Sequence, residues 1–102
     1  MRIYLDDERN TPDGWVRAYW PQDVINLIIS ENVTEISLDH DLGDDIRGTG
    51  YDVLLWIEKE VVLNGLQPPR LKVHSANISA RKKMEQAIEN ISCMQQRFCV
   101  LR

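Results

Sequence analysis

Short apolar runs alternate with longer stretches of helical periodicity along this chain. Arg2-Ile3-Tyr4-Leu5 ends directly in acids and predicts a buried strand. Asn10 to Gly14, with Pro12-Asp13-Gly14 inside it, is a turn signal. Trp15, Arg17 and Tyr19 alternate with Val16 and Ala18, which predicts a second strand at a sheet edge. Pro21 then opens a helix, where a missing N–H costs nothing. Val24, Leu27, Ile28 and Glu31 share one face of it, and Ile25 and Ile29 widen the apolar stripe. Ile36-Ser37-Leu38 predicts a third strand, and Gly43 to Gly50 a polar loop. Tyr51 to Leu63 is helical, with Leu54, Ile57 and Val61 toward the core and Asn64-Gly65 as the stop. Leu71-Lys72-Val73 predicts a fourth strand. Ala80, Met84, Ala87, Ile88 and Ile91 mark a last helix, and residues 97–101 are expected as a short final strand.

Strands alternating with helices imply parallel pairing through right-handed crossovers, hence an α/β fold with helices on both faces of a short sheet. In such folds a ligand crevice lies beyond the carboxyl ends of the strands. Asp6-Asp7-Glu8-Arg9 follows the first strand, Asp39-His40-Asp41 the third, and His74-Ser75-Ala76-Asn77 the fourth, so all three fall at one end of the sheet. Both histidines of the chain are among them.

Composition narrows the picture. The chain has 102 residues and reads as one unit over 1–102, without repeat or linker. Its 43% apolar content is too high for disorder, and its net charge of −4 argues against a general nucleic-acid coat. No apolar run reaches membrane-spanning length and the start shows no signal-peptide pattern, so no membrane partner and a cytoplasmic location are expected. Cys93 and Cys99 have no metal-ligand companions and are expected as reduced thiols.

Seven of the sixteen carboxylates, Asp6, Asp7, Glu8, Asp39, Asp41, Asp44 and Asp45, crowd two loops that should be neighbours. Such groups raise one another's pKa unless a cation compensates, and oxygen-rich clusters suit Mg²⁺, Mn²⁺ or Ca²⁺. A solvated acidic surface is the plainer reading. His40 and His74 are placed for proton transfer or ligation near neutral pH. Ser75 and Asn77 can donate to a phosphate oxygen at the start of the last helix, or Asn77 or Ser79 can cap it. Arg81-Lys82-Lys83 reads as a solvated face or a contact to a nucleic-acid backbone. Trp15, Tyr19, Trp20 and Trp56 suit packing or base stacking.

Asp6-Asp7, Asp39 and Ser75 resemble the acidic pair, phosphoacceptor and hydroxyl positions of response-regulator receiver domains. More closely, LDDER at 5–9, SLDHDLGDD at 37–45, TGYDVLLWIE at 49–58 and VHSAN at 73–77 resemble the cyclic-phosphate-processing receiver-like family. That resemblance implies receiver topology, and hydrolysis of cyclic phosphates such as the 2′,3′-cyclic ends left by RNA cleavage. The departures from ordinary receivers are informative. The stretch between Asp7 and Ile36 is too short for two helices and a strand, so the first helix is expected to be missing. No lysine follows Lys83, so the strand-five lysine that holds a phosphoryl group is absent, and no phosphorelay kinase is expected as a partner.

The resulting expectation is a metal-assisted phosphodiesterase acting on a cyclic-phosphate-bearing RNA end or nucleotide. Asp6, Asp7 and Asp39 would hold Mg²⁺ or Mn²⁺, with the Asp41 carbonyl as a further ligand. One of His40 and His74 would act as base and the other as acid, while Arg9, Ser75 and Asn77 position non-bridging oxygens. The alternatives are a degenerate receiver that binds a partner without turnover, and a hydrolase of a cyclic nucleotide signal.

Overall fold

The computed structural model describes the backbone of residues 1–101 and the side chains of residues 1–95. Its elements are β1 (Arg2–Leu5), β2 (Val16–Ala18), α1 (Pro21–Ser30), β3 (Glu35–Leu38), α2 (Gly50–Asn64), β4 (Arg70–Val73) and α3 (Ile78–Leu101). The strands form one parallel sheet in the order β2-β1-β3-β4. The α/β class, the parallel sheet and the receiver-like connectivity without a first helix agree with the sequence reading. Residues 6–15 join β1 to β2 as a loop in that helix's place. None of the described helices is long and apolar enough to cross a membrane.

Local chemistry sets the helix ends. Asp23 Oδ2 accepts the Trp20 backbone N–H at 3.1 Å, and Asp52 Oδ2 accepts that of Thr49 at 2.8 Å, so α1 and α2 each begin on an acid three residues in. Gly65, at φ 67°, ends α2 in the left-handed conformation that glycine adopts without strain.

Two expectations are corrected. Residues 97–101 are not a strand, because α3 continues through Leu101. No glycine or proline occurs after Pro69 to stop it, and a helix that already packs its first turns extends at little cost. The helices also do not lie on both faces. α2 packs between α1 and α3, and all three cover the side carrying Ile3, Leu5, Ile36 and Leu38, each fully buried in one core cluster. The physical reason is the topology. The β2–α1–β3 and β3–α2–β4 crossovers move the same way across the sheet, and right-handed connections in one direction place both helices on one face.

The opposite face carries Arg2 and Tyr4 of β1, Arg17 of β2, Glu35 and Ser37 of β3, and Arg70 and Lys72 of β4, aligned by register. No described helix covers it. The Trp15 ring sits there instead, edge-on to Tyr4 at 6.2 Å, with Arg2 and Lys72 at 5.2 and 6.0 Å. Tyr4 and Ser37 are buried beneath this layer of side chains.

Candidate active site

The sheet ladder runs past the ends of its strands. Asp6 N–H donates to Ala18, Asp39 N–H to Leu5 and His74 N–H to Leu38, so the three residues leave the sheet side by side. One ligand atom from each of Asp6, Asp39 and His74 lies within 4.8 Å of the others. Asp6 is fully buried and Asp39 nearly so. A crevice of about 370 Å³ opens beside them, lined by Asp7, Glu8, Arg9, Asp39, Asp41, Gly43 and Ala76.

Every acceptor of Asp6 is used. Oδ1 takes the backbone N–H groups of Glu8 and Arg9 at 2.8 and 2.9 Å, which folds the chain back after β1. Oδ2 takes Arg9 Nη1 at 2.9 Å and His74 Nε2 at 3.0 Å. Burial alone would raise the Asp6 pKa, but these bonds outweigh it and bring the group down to about 2. Asp39 behaves oppositely: burial and the neighbouring Asp6 charge raise its pKa, against bonds from the His40 backbone N–H and Arg9. Arg9 Nη1 reaches both carboxylates, at 2.9 and 3.3 Å. The first positive charge in the acidic cluster is therefore the protein's own guanidinium.

The two histidines are held very differently. His74 stacks on Tyr4 with ring centroids 4.3 Å apart, and its Nδ1 lies 2.7 Å from Ser37 Oγ. Because Asp6 is ionised, Nε2 carries the proton and Nδ1 accepts from Ser37. Burial lowers the His74 pKa in spite of Asp6, so the ring is neutral near pH 7. His40 is bonded through Nδ1 to Asp41 Oδ1 at 2.8 Å, which leaves Nε2 without a partner among the described residues.

Other sequence candidates divide by place. Asp7 lines the crevice but stands outside the tight three-residue group. Asp44 and Asp45 are exposed, and Asp44 accepts the Ile46 N–H in its own turn. Ser75 is buried and accepts the Asn77 N–H, while Asn77 Oδ1 caps α3 through Ala80 N–H at 3.1 Å. Arg81 pairs with Glu85 along α3, and Lys83 lies over the Tyr51 ring. Cys93 is a free, exposed thiol, and the Cys99 side chain lies outside the described residues.

Three contributors escaped the sequence reading. Ser37 and Tyr4 orient His74, and the signal was a polar or aromatic residue inside a short strand. Gly50 is the third: a Cβ there would lie 1.9 Å from the Asp39 carbonyl oxygen. Its signal was a glycine at the start of a helix, directly after a capping threonine.

A pH dependence follows from these shifts. His74 and Asp6 both titrate below their unfolded values. The stability they contribute is complete above about pH 6.5 and is lost on acidification, first through His74 and then, toward pH 2, through Asp6. Asp39, shifted upward, acts in the opposite sense at low pH. Between about pH 7.5 and 5 the melting temperature should fall, and His74→Gln should flatten that fall. Equal slopes in the two proteins would show that His74 carries none of it.

No curated protein and no solved structure matches the chain. A family model does, over residues 1–90, which take in every element from β1 into α3. On that match the chain belongs to the family of cyclic-phosphate processing receiver domains.

Proposed function

We propose that this domain is a metal-assisted phosphoesterase that opens cyclic phosphates, such as the 2′,3′-cyclic ends of cleaved RNA. The observation that carries the reading is the convergence of Asp6, Asp39 and His74 beside an open, acidic crevice. The donor set fits a divalent cation. Two carboxylates and a neutral imidazole are donor types that a divalent cation takes, and a cation would offset the burial and the Asp6 charge that oppose ionisation of Asp39. The imidazole moves the preference from Mg²⁺ toward Mn²⁺. Bound there, with Asp7 reaching in from the crevice wall, the cation would supply Lewis-acid stabilisation of charge on the phosphate.

The chain's own groups supply the rest. Arg9, about half exposed at the crevice wall, offers its remaining donors to the non-bridging oxygens. Ser75 keeps its hydroxyl proton and Asn77 its side-chain N–H₂ for the same oxygens, since their bonds in the fold use acceptor positions. With Nδ1–H held by Asp41, His40 takes a proton at Nε2 from the attacking water. The new P–O bond displaces a ribose oxygen, which draws its proton from solvent in the open crevice. His74 positions Asp6 through its Nε2 proton, and would serve as a ligand at that nitrogen only with the proton moved to Nδ1, where it would be donated to Ser37 Oγ. The acid–base pair expected from the two histidines thus becomes one base and one holding group.

The test is phosphorus NMR on cyclic-ended RNA and on cyclic mono- and dinucleotides, with and without Mn²⁺ or Mg²⁺. Conversion of a cyclic resonance to a monoester should require the cation, and His40→Ala should slow it about a hundredfold with the fold intact. No conversion of any substrate, in a protein whose melting temperature still rises with Mn²⁺, would leave a binding module in place of the enzyme.

A further inference from the structure

The helix-free face of the sheet is not chemically neutral. In a chain of net charge −4, it gathers Arg2, Arg17, Arg70 and Lys72 against one acid, Glu35. Lys72 is paired to Glu35. Arg2, Arg17 and Arg70 form no ion pair among the described residues, and Arg2 and Arg70 are exposed. The cations stand beside aromatic rings. Arg2 and Lys72 flank Trp15, and Arg17 lies 4.8 Å from the Tyr19 ring, which is 51% exposed. The face ends upward in Tyr4, Ser37 and His74, so it runs without a break into the group that includes Asp6 and Asp39.

From this geometry we propose that the open sheet face is a platform for single-stranded RNA, seating the nucleotides that precede the phosphate in the crevice. The proposal rests on the phosphoesterase reading for the position of the RNA end, and it adds a surface that holds the single strand leading to that end. A four-residue strand spans about 13 Å, enough to track a short length of backbone. Exposed aromatic surface takes bases without regard to sequence, and cations beside it meet the phosphates. A duplex would hide its base faces from Trp15 and Tyr19. A covering protein helix fits poorly, because its apolar side would have to bury Arg2 and Arg70 without partners. A polyanion satisfies them.

Binding of a short labelled oligouridylate ending in a 3′-hydroxyl, followed by fluorescence anisotropy at two salt concentrations, tests the platform apart from the chemistry. The double variant Arg2→Gln/Arg70→Gln should bind it about tenfold or more weakly, with a salt slope shallower by about 1.4. Its turnover of a cyclic mononucleotide should match wild type, while its turnover of cyclic-ended RNA falls. Unchanged oligonucleotide affinity in the double variant would overturn the proposal. So would sedimentation showing that this face is buried between two copies of the chain. Arginine-dependent binding with no turnover of any cyclic phosphate would support the platform and defeat the phosphoesterase reading.

Discussion

Turnover of a cyclic phosphate should fall at least about a hundredfold when Asp39 is replaced by asparagine, because the proposed function makes Asp39 a ligand of the charge-stabilising cation. The rise in melting temperature on adding Mn²⁺ should shrink with it, since that rise reports binding to the native state alone. Instability cannot account for the loss. The fold opposes ionisation of Asp39, which is why its pKa is raised by burial and by Asp6. Removing that charge should therefore leave the metal-free protein at least as stable as wild type. Turnover within a few fold of wild type would remove Asp39 from the chemistry. The same residue distinguishes the proposed function from a signalling switch. By its resemblance to receiver domains Asp39 matches a phosphoacceptor, whereas the proposed function makes it a metal ligand. Intact mass spectrometry after acetyl phosphate and Mg²⁺ should show no lasting adduct. A stoichiometric adduct that vanishes in Asp39→Asn would restore the switch.

The largest effect on stability is expected at Gly50. Its amide donates to the His40 carbonyl at 3.2 Å, which sets the first turn of α2 directly on the backbone of the Asp39 loop. An alanine Cβ would meet the Asp39 carbonyl oxygen at 1.9 Å and its carbonyl carbon at 2.9 Å. Backbone atoms at the end of a central strand cannot swing aside as a flexible side chain can. Either α2 retreats from the core or Asp39 leaves its place. We expect Gly50→Ala to cost about 3 kcal/mol or more, at or beyond the usual range for overpacking. For a domain of this size that lowers the melting temperature by roughly 12 °C or more. A shift of only a degree or two in thermal unfolding would mean that the contact relaxes cheaply. Gly43 makes a useful contrast: a Cβ there meets Asp7 Oδ2 at 3.3 Å, the movable end of a side chain, and its strain arises from φ of 91°.

Much of this was legible before any coordinates. Apolar spacing located the four strands and three helices, and the strand ends brought Asp6, Asp39 and His74 to one end of the sheet. The number of layers was misread for an identifiable reason. Ile3 and Leu5 alternate with Arg2 and Tyr4, Ile36 with Glu35 and Ser37, and Leu71 with Arg70 and Lys72. That is the signature of a sheet buried on one side, but runs of three or four residues are too short for it to stand out from a doubly buried strand. Residues 97–101 contain strand-favouring side chains, yet the decisive signal was the missing breaker after Pro69. Within the site, residue type located the acids and histidines but not their partners. That Arg9 would bridge two carboxylates, or that His74 would be spent on Ser37 and Asp6, depends on side-chain directions that spacing does not carry. Asn77 was equally suited to an anion or a cap by composition, and only the bond to Ala80 shows which partner it has in the fold.

The strand order β2-β1-β3-β4 also bears on how the site comes into being. A chain emerging from the ribosome can pair β1 with β2 first, then add β3 on the other side of β1, then β4 on β3. Each strand joins at an open edge, and none has to be threaded between two already paired. Vectorial growth therefore meets no topological obstacle. Asp6 and Asp39 are in place once β3 has docked, but His74 and the cap of α3 arrive with the final strand. Until then the two carboxylates face each other with only Arg9 between them. Until β4 docks, the group of Asp6, Asp39 and His74 is therefore incomplete, and any ligand that needs all three has to wait for that strand.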